Sequence, residues 1–225
     1  MKKYILLMIL GMFVTIPAYP DSFYVLASYV NPEAKSDVFE QNRIETTFDP
    51  DDLNDFGITF GYDHFIGEYV NVGGSIAFYE GETFVRDTEF TFTNGDPIVR
   101  DIRLRIIPIE ANVRVLPIGR EYAVIPYVGA GAGVYVWEYE EIGDFVIDRL
   151  GDPFIETGSA FSDGADFGFN IHGGLQFPVS RSMTITGEVK WINLEGDLDP
   201  EGFDPAFEPI DLSTVSYSAG VSFWF

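Results

Sequence analysis

The sequence predicts an all-β chain: an eight-stranded antiparallel up-and-down transmembrane β-barrel with four long extracellular loops and short periplasmic turns. Three observations predict it. Eight segments alternate apolar with small polar residues, the connections between them alternate short with long, and the closing segment STVSYSAGVSFWF ends on an aromatic residue. A period of two places successive side chains on opposite faces of a strand, where a helix would repeat about every 3.6 residues.

The closing strand, Ser213 to Phe225, separates its faces best. Odd positions carry Val215, Tyr217, Ala219, Val221, Phe223 and Phe225, and even positions carry Thr214, Ser216, Ser218, Gly220, Ser222 and Trp224. Asp166 to Phe177 repeats the pattern, with Phe167, Phe169, Ile171 and Leu175 against Asp166, Asn170, His172 and Gln176. Met183, Ile185, Val189 and Trp191 oppose Thr184, Thr186, Glu188 and Lys190. Earlier, Phe56, Ile58, Phe60 and Tyr62 oppose Gly57, Thr59, Gly61 and Asp63, and Val70, Val72, Ile76 and Phe78 oppose Asn71, Gly73 and Ser75. Phe23 to Asn31, Ile109 to Leu116 and Tyr122 to Trp137 complete the eight, the last with Gly129, Gly131 and Gly133 on one face. Arg103 and Arg105 fall out of phase with Glu110, Asn112 and Arg114, which predicts a bulge or strand start near Pro108.

A soluble sandwich or lipocalin-like barrel also alternates, with its apolar face inward. The connections argue against that reading. Short links fall at Gly67, at Ile118 and Gly119, and at Val179 to Arg181, while the others run roughly 18 to 25 residues. Such loops are rare in a compact soluble domain and habitual on one side of an outer-membrane barrel. The non-apolar faces hold glycine, serine, threonine and asparagine, which suit a narrow, crowded lumen. Tyr62, Tyr69, Tyr122, Trp137, Trp191 and Trp224 lie near strand ends, where aromatic girdles form.

The 225 residues suffice for one domain. Residues 1–18, MKKYILLMILGMFVTIPA, place Lys2 and Lys3 before an apolar run and end at Ala18. That is the pattern of a cleaved secretory signal peptide, too short for a membrane anchor, and it leaves 19–225 as the barrel domain. No later segment approaches the roughly 20 consecutive apolar residues of a spanning helix. The absence of cysteine removes disulfides and thiolate metal sites. A formal net charge of -23, from 36 acidic and 13 basic residues, argues against nucleic acid as a partner.

The stretch from Ile125 onward, IPYVGAGAGVYV, then DFGFNIHGGLQFPVSRSMTITGEVKWINL, then the closing strand, resembles the small outer-membrane barrels grouped around OmpW and OmpX. It covers a little under half of the mature chain. FGITFGYDHF and VNVGGSIAFYEG in the first half fit that superfamily only generically. The resemblance implies localisation in a bacterial outer membrane, contact with its lipid, and a terminal strand read by the barrel-assembly machinery. Tyr217, Ala219, Val221, Phe223 and Phe225 match that assembly pattern. It also implies an apolar lumen admitting small hydrophobic molecules, and here the sequence departs from the family. The lumen-facing positions carry Glu110, Arg114, Asp166, Asn170, His172, Glu188 and Lys190.

Pairing across the Val179 to Arg181 turn sets His172 near Glu188 and Asn170 near Lys190. Such a group is either a proton-sensitive or substrate-binding cluster or, more plainly, a buried ion-pair network that fills the barrel. The loop from Asp197 to Glu208 spaces Asp197, Asp199, Glu201 and Glu208 as an EF-hand calcium loop does, with Gly202 at the sixth position. Pro200 and Pro205 stiffen it and no flanking helices are expected, so calcium is weighed against a plain solvated acidic loop. The segments 33–55, 80–101, 138–166 and 195–211 hold 30 of the 36 acidic residues and only five of the basic ones. An extracellular crown of that charge attracts divalent cations or basic partners. His64 and His172 are the only histidines, and no Ser/His/acid set converges by spacing. The expectation is a monomeric, non-enzymatic barrel with a structural or surface-interaction role and no required cofactor. A narrow solute channel is the main alternative, and a lipid-modifying enzyme a more distant one.

Overall fold

The computed structural model describes residues 21–149, 152–200 and 202–225; the signal peptide expected at 1–18 lies outside the described residues. Seven long strands come first: β1 (Asp21–Pro32), β2 (Asp55–Ile66), β3 (Val70–Thr91), β4 (Pro97–Val115), β5 (Ile125–Arg149), β6 (Asp152–Pro178) and β7 (Met183–Asn193). A two-residue pair, β8 (Glu195–Gly196) with β9 (Ile210–Asp211), precedes the last strand, β10 (Thr214–Trp224). The long strands form one closed antiparallel barrel in which β1 pairs with β2 on one side and β10 on the other. Asp21 and Phe225 exchange two backbone hydrogen bonds of 3.0 Å at the seam. Closure matters because it leaves no edge of unpaired amides, the one way a sheet can sit in hydrocarbon. Among the described residues no helix is long and apolar enough to cross a membrane.

The parity seen in the sequence sets the outer face. Phe23 and Tyr29 of β1, Phe56 and Ile58 of β2, Phe167 and Ile171 of β6, Ile185 and Val189 of β7, and Tyr217 and Phe223 of β10 are all exposed. Water does not tolerate so continuous an apolar surface, and lipid does. Tyr62, Tyr69 and Tyr122 also stand exposed. Two expected girdle residues are instead internal. Trp137 is 1% exposed in the core, and Trp224 packs against the buried cluster of Phe65 and Leu116.

No bulge forms at Pro108. The β3–β4 register runs without a shift from Val70↔Val115 to Arg86↔Val99, and Arg103 and Arg105 share the outward parity of Ile109 and Val113. What changes along this face is the solvent outside. Beyond the apolar belt, two rows cross three strands, Glu80–Arg105–Glu138 and Glu82–Arg103–Glu140. Their nitrogen-to-oxygen distances lie between 2.7 and 3.3 Å. Charged rows of this kind belong to a sheet that has left the membrane and continues in water.

Two of the four expected long loops are therefore mostly sheet. β3 and β4 stay paired to Thr91↔Pro97, and β5 and β6 to Arg149↔Asp152. The other two connections fold inward as a lid. The first contains α1 (Asp37–Glu45) and a 3₁₀ turn (Pro50–Leu53) capped reciprocally by Asp49 and Asp52. α1 carries Asp37 and Glu40 in its first turn and Arg43 in its last, the order a helix dipole favours. Its buried residues, Val38, Phe39 and Asn42, lie on one face. Phe39 stacks on Phe48 at 6.0 Å and meets Tyr139 edge-on at 5.4 Å. From the other loop, Ile210 and Leu212 join the same cluster, with Leu198, Phe203 and Phe207 packed against it. Glu33, just beyond β1, accepts from Trp191 Nε1 at 3.2 Å and from Lys35; the Lys35 hydrogen bond holds its carboxyl below the usual range.

Candidate functional site

The lumen is filled in three layers. At the end that carries the termini, Phe65, Leu116, Ile125 and Tyr127 form an apolar floor. At the other end, the lid packs onto Leu104, Ile106, Tyr135 and Trp137. Between them lies a network of buried charges, contributed by alternate residues of β2 to β7.

Glu110 of β4 is the hub on one side. Oε2 accepts from Lys190 Nζ at 2.7 Å and Ser75 Oγ at 3.1 Å, and Oε1 accepts from Tyr135 at 2.6 Å and Asn170 Nδ2 at 2.9 Å. Arg114 is the hub on the other side. It pairs with Asp63 through Nη1, donates to Glu188 from Nη2 at 3.3 Å and to His172 Nε2 from Nε at 3.2 Å. Its guanidinium also lies over the rings of Tyr24 and Tyr127, 4.6 and 5.3 Å from their centroids. Tyr127 donates to Glu188 at 2.8 Å. Every one of these charges has a partner of opposite sign, which offsets the desolvation that burial imposes on them.

His172 joins the two halves. Nε2 accepts from Arg114, so the ring proton sits on Nδ1 and is donated to Asn170 Oδ1 at 2.8 Å. Asn170 then hands its own amide protons to Glu110 and to Asn112 Oδ1. Room for this chain comes from the glycine face of β5. A Cβ at Gly131 would lie 2.0 Å from Asn112 Oδ1 and 2.7 Å from Asn170 Nδ2.

The structure thus brings together Glu110, Arg114, Asn170, His172, Glu188 and Lys190. Asp166 stands apart, accepting from Trp137 Nε1 at 2.6 Å one layer higher. The expected cross-strand neighbours shift by two residues. His172 lies opposite Lys190, and Glu188 opposite Gly174, because β6 and β7 close as Pro178↔Thr184 around a four-residue link. Lys190 consequently pairs with Glu110 and leaves Glu188 to Arg114. Asp63, Ser75, Asn112, Tyr127 and Tyr135 were not among the expected members. Each sits on the inward face of its strand, so parity carried the signal for all five.

Among the described residues no group of three or more His, Cys, Asp or Glu is arranged to hold a metal ion. Apolar packing sets the path of the loop from Asp197 to Glu208: Leu198, Phe203 and Phe207 press onto the core, Asp199 donates its amide to Ser162 Oγ, and Glu208 its amide to Asp37. Glu201 lies outside the described residues. Tyr217, Ala219, Val221, Phe223 and Phe225, the residues expected to carry an assembly signal, share the outward parity of β10, with Phe225 72% exposed.

A buried pair broken on one side costs far more than an exposed one. Lys190→Met, which orphans Glu110, is expected to lower unfolding stability by about 3–5 kcal/mol, with Glu110→Gln restoring most of it in the double variant. Glu138→Gln in the exposed outer row is expected to cost under about 1 kcal/mol. Denaturant titration in lipid vesicles measures all three, and a wild-type midpoint for Lys190→Met would contradict the network.

No protein-family model matches the chain, and no curated protein matches it. Solved structures do. Neisserial surface protein A superposes with a TM-score of 0.55 at 12% identity, covering 92% of this chain and 100% of that one. The outer membrane protein OprG from Pseudomonas aeruginosa gives 0.56 at 13% identity, over 92% and 96%. A major outer membrane protein from Thermus thermophilus gives 0.50 at 8% identity, over 92% and 100%. At such identities the likeness is one of architecture, and the chain has the fold of the small outer-membrane β-barrel proteins, the class that its sequence resembles.

Proposed function

We propose that this chain is an integral outer-membrane barrel with a closed lumen, non-enzymatic, whose acidic crown meets cations or basic partners at the cell surface. The observation that carries the reading is the filling of the lumen. Twin apolar layers bracket a network whose charges are committed to one another, so a passing solute would have to displace ion pairs in a low-dielectric interior. The cavity between network and lid, lined by Ser28, Tyr79, Lys190 and Ser216 among others, is about 40 Å³, space for water rather than for a solute.

The apolar belt supports lipid contact, and the position of the termini supports a periplasmic floor and an extracellular lid. The non-enzymatic part rests on the histidines. Both ring nitrogens of His172 are engaged within the network, and His64 Nδ1 lies 2.6 Å from Asp21 at the opposite rim. Closure leaves no barrel edge for a second copy to extend, which supports a monomer. The narrow-channel reading is separated by experiment. Purified protein in planar bilayers is expected to give no steady single-channel steps, and a reproducible unitary conductance would sink the closed-lumen reading.

The outward face of β10 supports recognition by the assembly machinery. Removing Phe225 takes away an exposed aromatic and the two seam hydrogen bonds with Asp21. Surface levels of the truncated protein are expected to fall severalfold in quantitative surface labelling, and unchanged levels would contradict that role.

A further inference from the structure

Above the membrane belt the two extended hairpins separate. Pairing between β4 and β5 ends at Arg100↔Gly143, while β5 and β6 remain paired to Arg149↔Asp152. Gly143 makes the close crossing there, with a φ of 149° and an ideal Cβ position only 2.3 Å from the Val99 carbonyl oxygen. Beyond this point the β5–β6 ribbon leaves the β3–β4 ribbon, and α1 stands beside the gap. The result is a cleft of about 610 Å³, within the range of pockets that hold small ligands or peptide side chains.

Its floor is polar, with one arginine set between two carboxylates. Arg100 pairs with Glu141 at 3.2 Å and Glu45 at 3.6 Å, and stacks over Phe145 at 5.0 Å. Its walls are apolar: Ile44 is 70% exposed and Phe90 40% exposed, both lining the opening. At its rim stand Asp87, Glu89 and Glu156. Among the described residues Arg100 is the one cation in the lining, and its charge is already matched. An anionic ligand would therefore meet uncompensated carboxylates, and a plain metal ion would gain nothing from the rings.

We propose that this cleft binds a basic peptide segment in which an apolar side chain lies between cationic ones, the apolar group entering against Phe90 and the cations facing the rim. The proposal rests on the reading of an acidic, interaction-competent crown and narrows it to one place and one chemistry. Carboxylates and exposed rings offer a lysine or arginine both charge attraction and a cation–π face.

The test uses the full-length barrel in nanodiscs of zwitterionic lipid, with empty discs as blank, and fluorescence anisotropy of two labelled tripeptides. Lys-Phe-Lys is expected to bind on the order of tenfold more tightly than Lys-Gly-Lys, which carries the same charge. Phe90→Ser is expected to erase that preference, and the pair Glu89→Gln with Glu156→Gln to weaken Lys-Phe-Lys by a similar factor. All three side chains are exposed, and an unchanged unfolding midpoint verifies each variant's fold. Equal binding of the two peptides, or variants that bind Lys-Phe-Lys as wild type does, overturns the cleft while leaving a diffuse acidic crown intact. Failure of either peptide to bind at low salt overturns the crown reading as well.

Discussion

The interior of an eight-stranded barrel is too narrow to hold bulk solvent and is walled by whatever side chains its strands turn inward. Here those side chains include Asp63, Glu110, Arg114, Glu188 and Lys190, and the need to satisfy them governs the rest of the structure. No single strand could do so. Glu110 draws its partners from β3, β5, β6 and β7, and Arg114 from β2, β6 and β7. The network therefore fixes the mutual register of most of the barrel, which backbone pairing alone leaves open to slips of two residues. The glycine face of β5 follows from the same need, since Gly131 cedes its side-chain space to Asn112 and Asn170.

Once the charges are committed to each other, the two apolar layers become necessary. Ions in a wet lumen would exchange their partners for water, and the interactions would weaken with the rise in dielectric. The lid built from α1, Phe48, Leu53, Ile210 and Leu212 is thus coupled to the network beneath it through shared wall residues such as Tyr135, which touches both. The outside of the molecule answers a separate constraint. Its odd-and-even alternation holds without a register shift from Val70↔Val115 to Arg86↔Val99, while the outward residues change from Ile109 and Val113 to Arg103 and Arg105 as the surroundings change from lipid to water.

Parity made most of this legible in the sequence. It assigned all eight barrel strands and six of the residues that meet in the lumen, because a two-residue period follows directly from strand geometry. It misled at Arg103 and Arg105, where a change of solvent on one face looked like a change of face. Loop composition was less readable. Segments 80–101 and 138–166 are acidic enough to read as coil, yet they continue as ribbons because cross-strand pairs such as Glu82 with Arg103 and Phe145 with Glu156 are compatible with a sheet in water. Fine register was out of reach, since a two-residue slip between β6 and β7 preserves every inward and outward assignment. The acidic spacing of Asp197 to Glu208 carried no information about Phe203 and Phe207, whose packing shapes that loop.

The central claim is that the middle of the lumen is closed from both sides, and the chain's lack of cysteine permits a direct measurement. Ser216 lines the internal cavity beside Lys190 and is 7% exposed. With Ser216→Cys in reconstituted vesicles, a membrane-impermeant maleimide added on either side is expected to leave the folded barrel unlabelled and to label it fully after denaturation. Rapid labelling of the folded protein from one side would show an open path and contradict the account.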